Sequence, residues 1–209
     1  MEDEMEFRHV NRGFEKIEYI KDADKLEAWK KGMTGYPMVD ASMRSLIATG
    51  FLNFRMRAML VSFLTHHLFM HWKEGSKWLA QQFLDFEPGI HFSQLQMQAG
   101  VTGINTLRIY NPIKQATDHD AEGNFIRKWV PEVSGLPTTL LHEPWALTSL
   151  EGGMYGFDLV RDYVEPVIPP TQLGKRARIE LWGLRQDELV QREGKRILAK
   201  LTNPGRRHA

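Results

Sequence analysis

Two carboxylates, Asp85 and Glu87, stand two residues apart, followed at once by Pro88-Gly89 and then by His91, Gln94, Gln96 and Gln98. Upstream, Arg55 and Arg57 sit in the most apolar run of the chain, FRMRAMLVSFLTHHLFMHW. An arginine held among apolar residues needs a carboxylate, because an unpaired buried charge costs on the order of several kcal/mol. Asp85 and Glu87 are the nearest candidates. An Arg–Asp pair suits a planar ligand with amide-like edges: the carboxylate accepts from a ring N–H while backbone N–H groups near Gly89 donate to ring oxygens. The same residues would equally make a core salt bridge, and their types leave both readings open.

Other chemistries have less support. His67 and His71 are four apart and would share one face of a helix, as a metal pair does, but no third ligand has a suitable spacing, so no metal site is expected. Neither a GxGxxG nor a Walker pattern occurs. With no cysteine among 209 residues, disulfides, iron–sulfur clusters and thiolate zinc sites are excluded.

The elements that must position these residues read as helices. Asp22 or Asp24 caps a helix that stops at Gly32. Pro37 opens a second, with Met38, Ala41, Met43, Leu46 and Ile47 at helical spacing until Gly50. The apolar run predicts a long central helix over 53–72. Gly75-Ser76 is expected to cap the next, over 76–86. Ile90 to Ala99 follows, ending at Gly100. Trp29, Phe51, Phe54, Trp72, Trp78, Phe83, Phe86 and Phe92 read as core. Residues 134–170 are rich in proline and glycine and read as loops with short helical pieces. Helical spacing resumes from about Leu173 to Leu201. No stretch alternates with period two for long enough to make a strand. The expected fold class is all-α.

A chain of this length suggests one domain, or at most two. Residues 1–21 read as a polar N-terminal extension, loosely ordered or docked on something absent, to a domain over 22–209. No apolar run reaches the length of a membrane span, and the acidic opening MEDEMEFRHV is no secretory leader, so a cytoplasmic protein is expected. The net charge of +1 hides an asymmetry: residues 171–209 hold ten Lys/Arg against four Asp/Glu. Such a tail is either a solvated helix or a face for nucleic acid.

Four strings in order, WKKGMTGYPMVDASMRSL (29–46), FRMRAMLVSFL (54–64), the segment from Trp72 to Asp85, and RIYNPIKQATDHDAEGNFIRKWVPEV (108–133), resemble the FAD-binding helical domain of the DNA photolyase/cryptochrome family. They cover roughly half the chain. The resemblance implies a helical bundle that folds FAD into a U shape. It gives Arg57 as the arginine paired with Asp85 beside the flavin, Glu87 in the place of a second aspartate, and His91 facing flavin N5. Arg55 and Arg108 take positions that approach DNA at the cavity mouth. Trp72 matches the middle member of the family's electron-transfer chain, and Tyr19 falls at the surface member.

The departures fall in the same region. Leu95 stands where the family has its flavin-proximal tryptophan. Phe54 replaces an asparagine near the pyrimidine dimer, Met97 a tryptophan that stacks on it, and Phe51 the tryptophan of a GW motif. The α/β antenna domain and the segment that binds the FAD phosphates would precede residue 1. FAD binding is therefore expected to be weak or absent in this chain alone. A complementary N-terminal chain or self-association is expected to cover apolar surface on the helix over 53–72. The functional expectation is light-driven electron transfer from reduced FAD to repair pyrimidine dimers in damaged DNA, a photolyase-type lyase within a longer or split protein. The alternatives are a cryptochrome-type photosensory protein and an FAD-free remnant or protein-interaction module.

Overall fold

Local signals set the first helix ends. The structure, a computed structural model, describes residues 5–201. Asp22 accepts from the Lys25 amide to start α1 (Ala23–Lys31), which ends at a left-handed Gly32. Pro37 opens α2 (Pro37–Thr49), closed by Gly50. Asn53 caps α3 (Phe54–Ser62). Then come α4 (Trp72–Gln82), α5 (Pro88–Gln98), α6 (Pro112–His119), α7 (Asn124–Trp129), α8 (Thr138–His142), α9 (Ser149–Tyr155) and α10 (Leu159–Asp162). The last two are α11 (Lys175–Arg185) and α12 (Glu188–Leu201). No strand forms among the described residues, so the fold is all-α. No described helix is long and apolar enough to cross a membrane.

The long central helix over 53–72 does not hold. After α3 the backbone widens into a π-helical turn, Phe63–His67, with the Leu68 amide reaching Phe63 O. Phe69 then takes φ 54°, where no other described non-glycine residue has positive φ. Tertiary bonds hold this costly turn in place. His66 donates Nε2–H to Ala99 O at 3.1 Å and accepts at Nδ1 from Ser62 Oγ at 2.9 Å. His67 donates Nε2–H to Tyr110 O at 2.8 Å, and the Ile20 amide donates to Phe69 O. His67 and His71 thus fall on different elements rather than one helix face.

Two further expectations change. The helix placed over 76–86 starts at Trp72, capped by His71, and ends at Gln82. Gly75 lies inside it because Trp29 packs there: an added Cβ would stand 2.7 Å from both Leu64 Cδ2 and Trp29 Cη2. The described part of the N-terminal segment is not loosely ordered. Phe14 and Asn11 are fully buried, and Asn11 bridges Thr102 O and Val190 O at 3.2 and 3.0 Å. Gln96 binds it with both ends, accepting from the Val10 amide at 2.7 Å and donating to Met5 O and Arg8 O. Residues that read as polar in the sequence are here satisfied by distant backbone, a match invisible to local pattern.

The turn before α2 is fixed by a fully buried Asp40. It accepts from the Thr34 amide at 2.8 Å, Thr34 Oγ1 at 2.6 Å, the Gly35 amide at 3.1 Å and the Tyr163 hydroxyl. Burial pushes its carboxyl above the usual range while those donors oppose the shift.

The Gly75→Ala variant is expected to lose about 1–3 kcal/mol from overpacking, read as a lower thermal midpoint at unchanged helicity. Burial also pushes His66 and His67 down to about 4. Groups depressed from 6.5 when folded stabilise the protein above that value and withdraw the contribution as pH falls toward 4, on the order of several kcal/mol together. Thermal midpoints taken at constant ionic strength should therefore drop steeply between pH 6.5 and 4; a flat profile would contradict these buried neutral rings.

Candidate functional site

The site is built where α3, α5 and the loop between α4 and α5 converge. Gly50 accepts from the Leu84 amide at 3.0 Å, which ties that loop to the turn between α2 and α3. An added Cβ at Gly50 (φ 68°) would fall 2.5 Å from Leu84 Cγ, so the close approach requires glycine. This places Asp85 opposite Arg57. Arg57 Nη2 donates to both carboxylate oxygens at 3.0 and 2.9 Å, and Nε donates to Leu52 O at 2.6 Å. Its guanidinium also lies 4.1 Å from the centre of the Phe83 ring. The Arg57 hydrogen bonds hold the Asp85 carboxyl below the usual range.

A cavity of about 200 Å³ opens beside the pair, lined by Arg57, Asp85, Glu87 and His91 together with Phe54, Leu79, Phe83, Phe86, Ile90, Gln94, Leu95 and Gln98. His91, Gln94, Leu95 and Gln98 reach it because they recur at one-turn spacing on α5, whereas Gln96 faces the other way, toward the N-terminal segment. The His91 ring donates Nε2–H to Ser76 O at 3.0 Å, leaving Nδ1 as its acceptor nitrogen. Burial, with Arg57 as a lesser cause, pushes His91 below the usual imidazole range. Gln94 Oε1 is buried and has no partner.

Some expected contacts differ. Glu87 does not pair with an arginine. It caps α5, accepting from the Ile90 amide at 2.6 Å, and so occupies the helix end whose backbone N–H groups were expected to meet ligand oxygens. Arg55 is exposed and joins no ion pair among the described residues. Phe51, Phe54 and Phe86 are exposed rather than core. Phe54 and Phe86, with the exposed Ile90, give the cavity an apolar rim. Of the stretch over 53–72, expected to expose apolar surface, Phe54 is exposed while its other apolar residues, those of the π-turn included, are buried.

A second depression of about 340 Å³ adjoins the first, sharing Phe54 and Gln98 and adding Met97, Ile104, Asn105, Thr106 and Arg108. Trp72 and Tyr19 line neither cavity. Trp72 is fully buried and donates Nε1–H to His9 Nδ1 at 3.2 Å; His71 lies between the two aromatics, 5.4 Å from Trp72 and 4.8 Å from Tyr19 between ring centres. His9 carries no motif, and its contact with Trp72 could not be read from spacing. Among the described residues no three candidate ligands gather to hold a metal.

The chemistry of the main cavity fits one end of a flavin. Its wall is largely apolar, with a charged pair at one side and an acceptor, Gln94 Oε1, without a donor. A planar ring with an N–H edge supplies what that wall lacks. The volume is below the ~300–1,000 Å³ of ordinary ligand pockets, so the cavity takes part of a dinucleotide rather than all of it.

Residues 1–182 match the family described as the FAD binding domain of DNA photolyase. A cryptochrome DASH of Gloeobacter violaceus is 39% identical over 153 residues, 73% of this chain and 31% of that protein. A deoxyribodipyrimidine photo-lyase of Alkalihalophilus pseudofirmus is 33% identical over 172 residues, 81% of this chain and 36% of that protein. The crystal structure of a class III photolyase from Agrobacterium tumefaciens superposes with a TM-score of 0.81 at 30% identity, covering 88% of this chain and 39% of that one. The chain thus spans about a third of the length of the curated relatives it matches. Sequence and fold together make it a member of the DNA photolyase FAD-binding-domain family.

Proposed function

We propose that this chain forms the flavin-ring side of a photolyase-type FAD domain acting on damaged DNA. The observation that carries the reading is the cavity whose lining joins the Arg57–Asp85 pair, an apolar wall and Gln94, whose side-chain oxygen is buried without a partner. Bound in its reduced form, FAD would supply, under light, the electron that splits a pyrimidine dimer and would recover it once the dimer has opened. Asp85, held ionised by Arg57, accepts from the ring's N–H edge, and Gln94 offers a second acceptor. His91 lines the wall where the family places the residue facing N5, and Glu87 fixes the start of the helix that carries it. Met97, Phe54 and Arg108 line the adjoining depression, where a flipped-out pyrimidine dimer would enter. Arg55 and Arg108 are exposed cations for phosphates. Trp72 and Tyr19, bridged by His71, offer a route for electrons toward the surface, while Leu95 in the cavity wall breaks the aromatic chain on the flavin side.

The apolar rim of Phe54, Phe86 and Ile90 calls for a cover. A complementary N-terminal chain carrying the phosphate-binding segment fits that need better than self-association, because the cavity accommodates only part of the cofactor. FAD should accordingly bind weakly to this chain alone. A cryptochrome-type sensor is the second reading, favoured by the replacement of the lesion-side residues with Phe54 and Met97 and by similarity to a cryptochrome DASH.

The chain purified alone should be colourless or carry substoichiometric flavin. Produced with the N-terminal half of a relative, it should retain FAD and repair dimer-containing oligonucleotides under blue light. Asp85→Asn should weaken flavin retention roughly tenfold or more, as expected for a charge-assisted hydrogen bond of ~1.5–3 kcal/mol. Bound, reduced FAD without repair would remove the repair reading and leave the sensor; an Asp85→Asn protein with unchanged flavin affinity would remove the assigned ring contact.

A further inference from the structure

Lys175, Arg176 and Arg178 occupy three of the first four positions of α11, where the helix macrodipole is positive. No acid lies in that first turn, and the N-cap, Gly174, has no side chain to offer. Three cations at such an end repel one another and the unpaired amides. Arg176 is drawn off by the N-terminal segment, donating to Glu18 O at 3.2 Å and lying 4.6 Å from the Phe69 ring centre. Lys175 and Arg178 are exposed and join no ion pair among the described residues.

A buried group points at the same place. His67, 4% exposed, spends Nε2–H on Tyr110 O, and its Nδ1 has no partner. That nitrogen lies 3.6 Å from where a Cβ on Gly174 would stand. The groups facing the ring are Arg178 and His66 through charge, the Phe63 ring and the Tyr110 carbonyl, so none supplies an anion. An anion at this helix end would favour the imidazolium, whose Nδ1–H would then be satisfied.

The end is also continuous with the depression described above. Ile109 Cγ2 lies 2.9 Å from the same Gly174 position, and Arg185 at the far end of α11 donates to Asn105 O at 2.9 Å. α11 therefore runs alongside residues 105–109. On its exposed face Lys175, Arg178 and the half-exposed Trp182 follow one another at helical spacing.

We propose that the N-terminal end of α11, with Lys175 and Arg178 as its cations, is a phosphate site that holds the nucleic-acid backbone beside the cavity mouth, with Trp182 available to stack on a base. The site rests on the reading of DNA as partner, though not on the photochemistry.

The test is fluorescence anisotropy of undamaged single- and double-stranded oligonucleotides over a salt series, with the unaltered chain, the K175A/R178A double variant and Arg108→Ala. Loss of two phosphate contacts should lower the slope of log affinity against log salt by about 1.8 on duplex and about 1.4 on single strands and weaken binding at least tenfold at low salt. The thermal midpoint without DNA should stay level or rise, since cations leave a positive helix end. The His67 imidazole nitrogen signals should move on adding DNA. An unchanged slope and affinity in the double variant, with Arg108→Ala weakened, would overturn this site alone. A chain that binds no DNA would remove the DNA partner and this site together. Movement of His67 with inorganic phosphate but not with DNA would overturn the nucleic-acid assignment in favour of a small anion.

Discussion

The contact between Arg57 and Asp85 depends on a backbone bond that neither residue makes. Gly50 accepts from Leu84, and that tie brings the loop after α4 against the start of α3. The arginine is then enclosed on three sides, by Leu52 O, the Phe83 ring and the Asp85 carboxylate. Isolated exposed ion pairs contribute little. This one differs in being two-pronged and stacked on an aromatic ring, so its value lies in orientation. It fixes the carboxylate at the lip of an apolar cavity, where a ligand's N–H edge can find an acceptor already in place.

The helices bearing the rest of the wall are positioned by histidines and glutamines that satisfy distant backbone. His66 and His67 lock the π-turned segment after α3 to Ala99 and Tyr110, and Gln96 binds residues near the start of the chain. α5 can thus show His91, Gln94 and Leu95 to the cavity while its opposite face anchors the N-terminal segment. One helix serves both purposes because its polar residues divide between two faces.

Much of this was legible in the sequence. Asp22, Gly32, Pro37 and Gly50 announced two helices, and the order of Arg57, Asp85, Glu87 and His91 announced a shared site. What escaped reading has a common cause. The break at Phe69 carries no glycine or proline, and it persists because Ile20 and Arg176 hold Phe69 from afar and Tyr110 holds His67 just before it. Gly75 resembled a cap and is a packing site for Trp29. Glu87 resembled an arginine partner and is a helix cap. Each was decided by tertiary contact overriding a local preference. The exposed Phe51, Phe54 and Phe86 looked like core because apolarity alone does not say what covers a residue.

The proposed division of labour is that Arg57, Asp85 and Gln94 would hold a flavin ring while other residues bind its phosphates. Riboflavin, which has the ring and no phosphate, isolates that claim. In a nitrogen-resolved NMR titration with riboflavin, the Arg57 guanidinium and the Gln94 carboxamide signals are expected to shift together and saturate at one ligand concentration. Signals of both groups that stay fixed while riboflavin binds elsewhere, or that never move up to its solubility limit, would contradict the assignment of this cavity to the flavin ring.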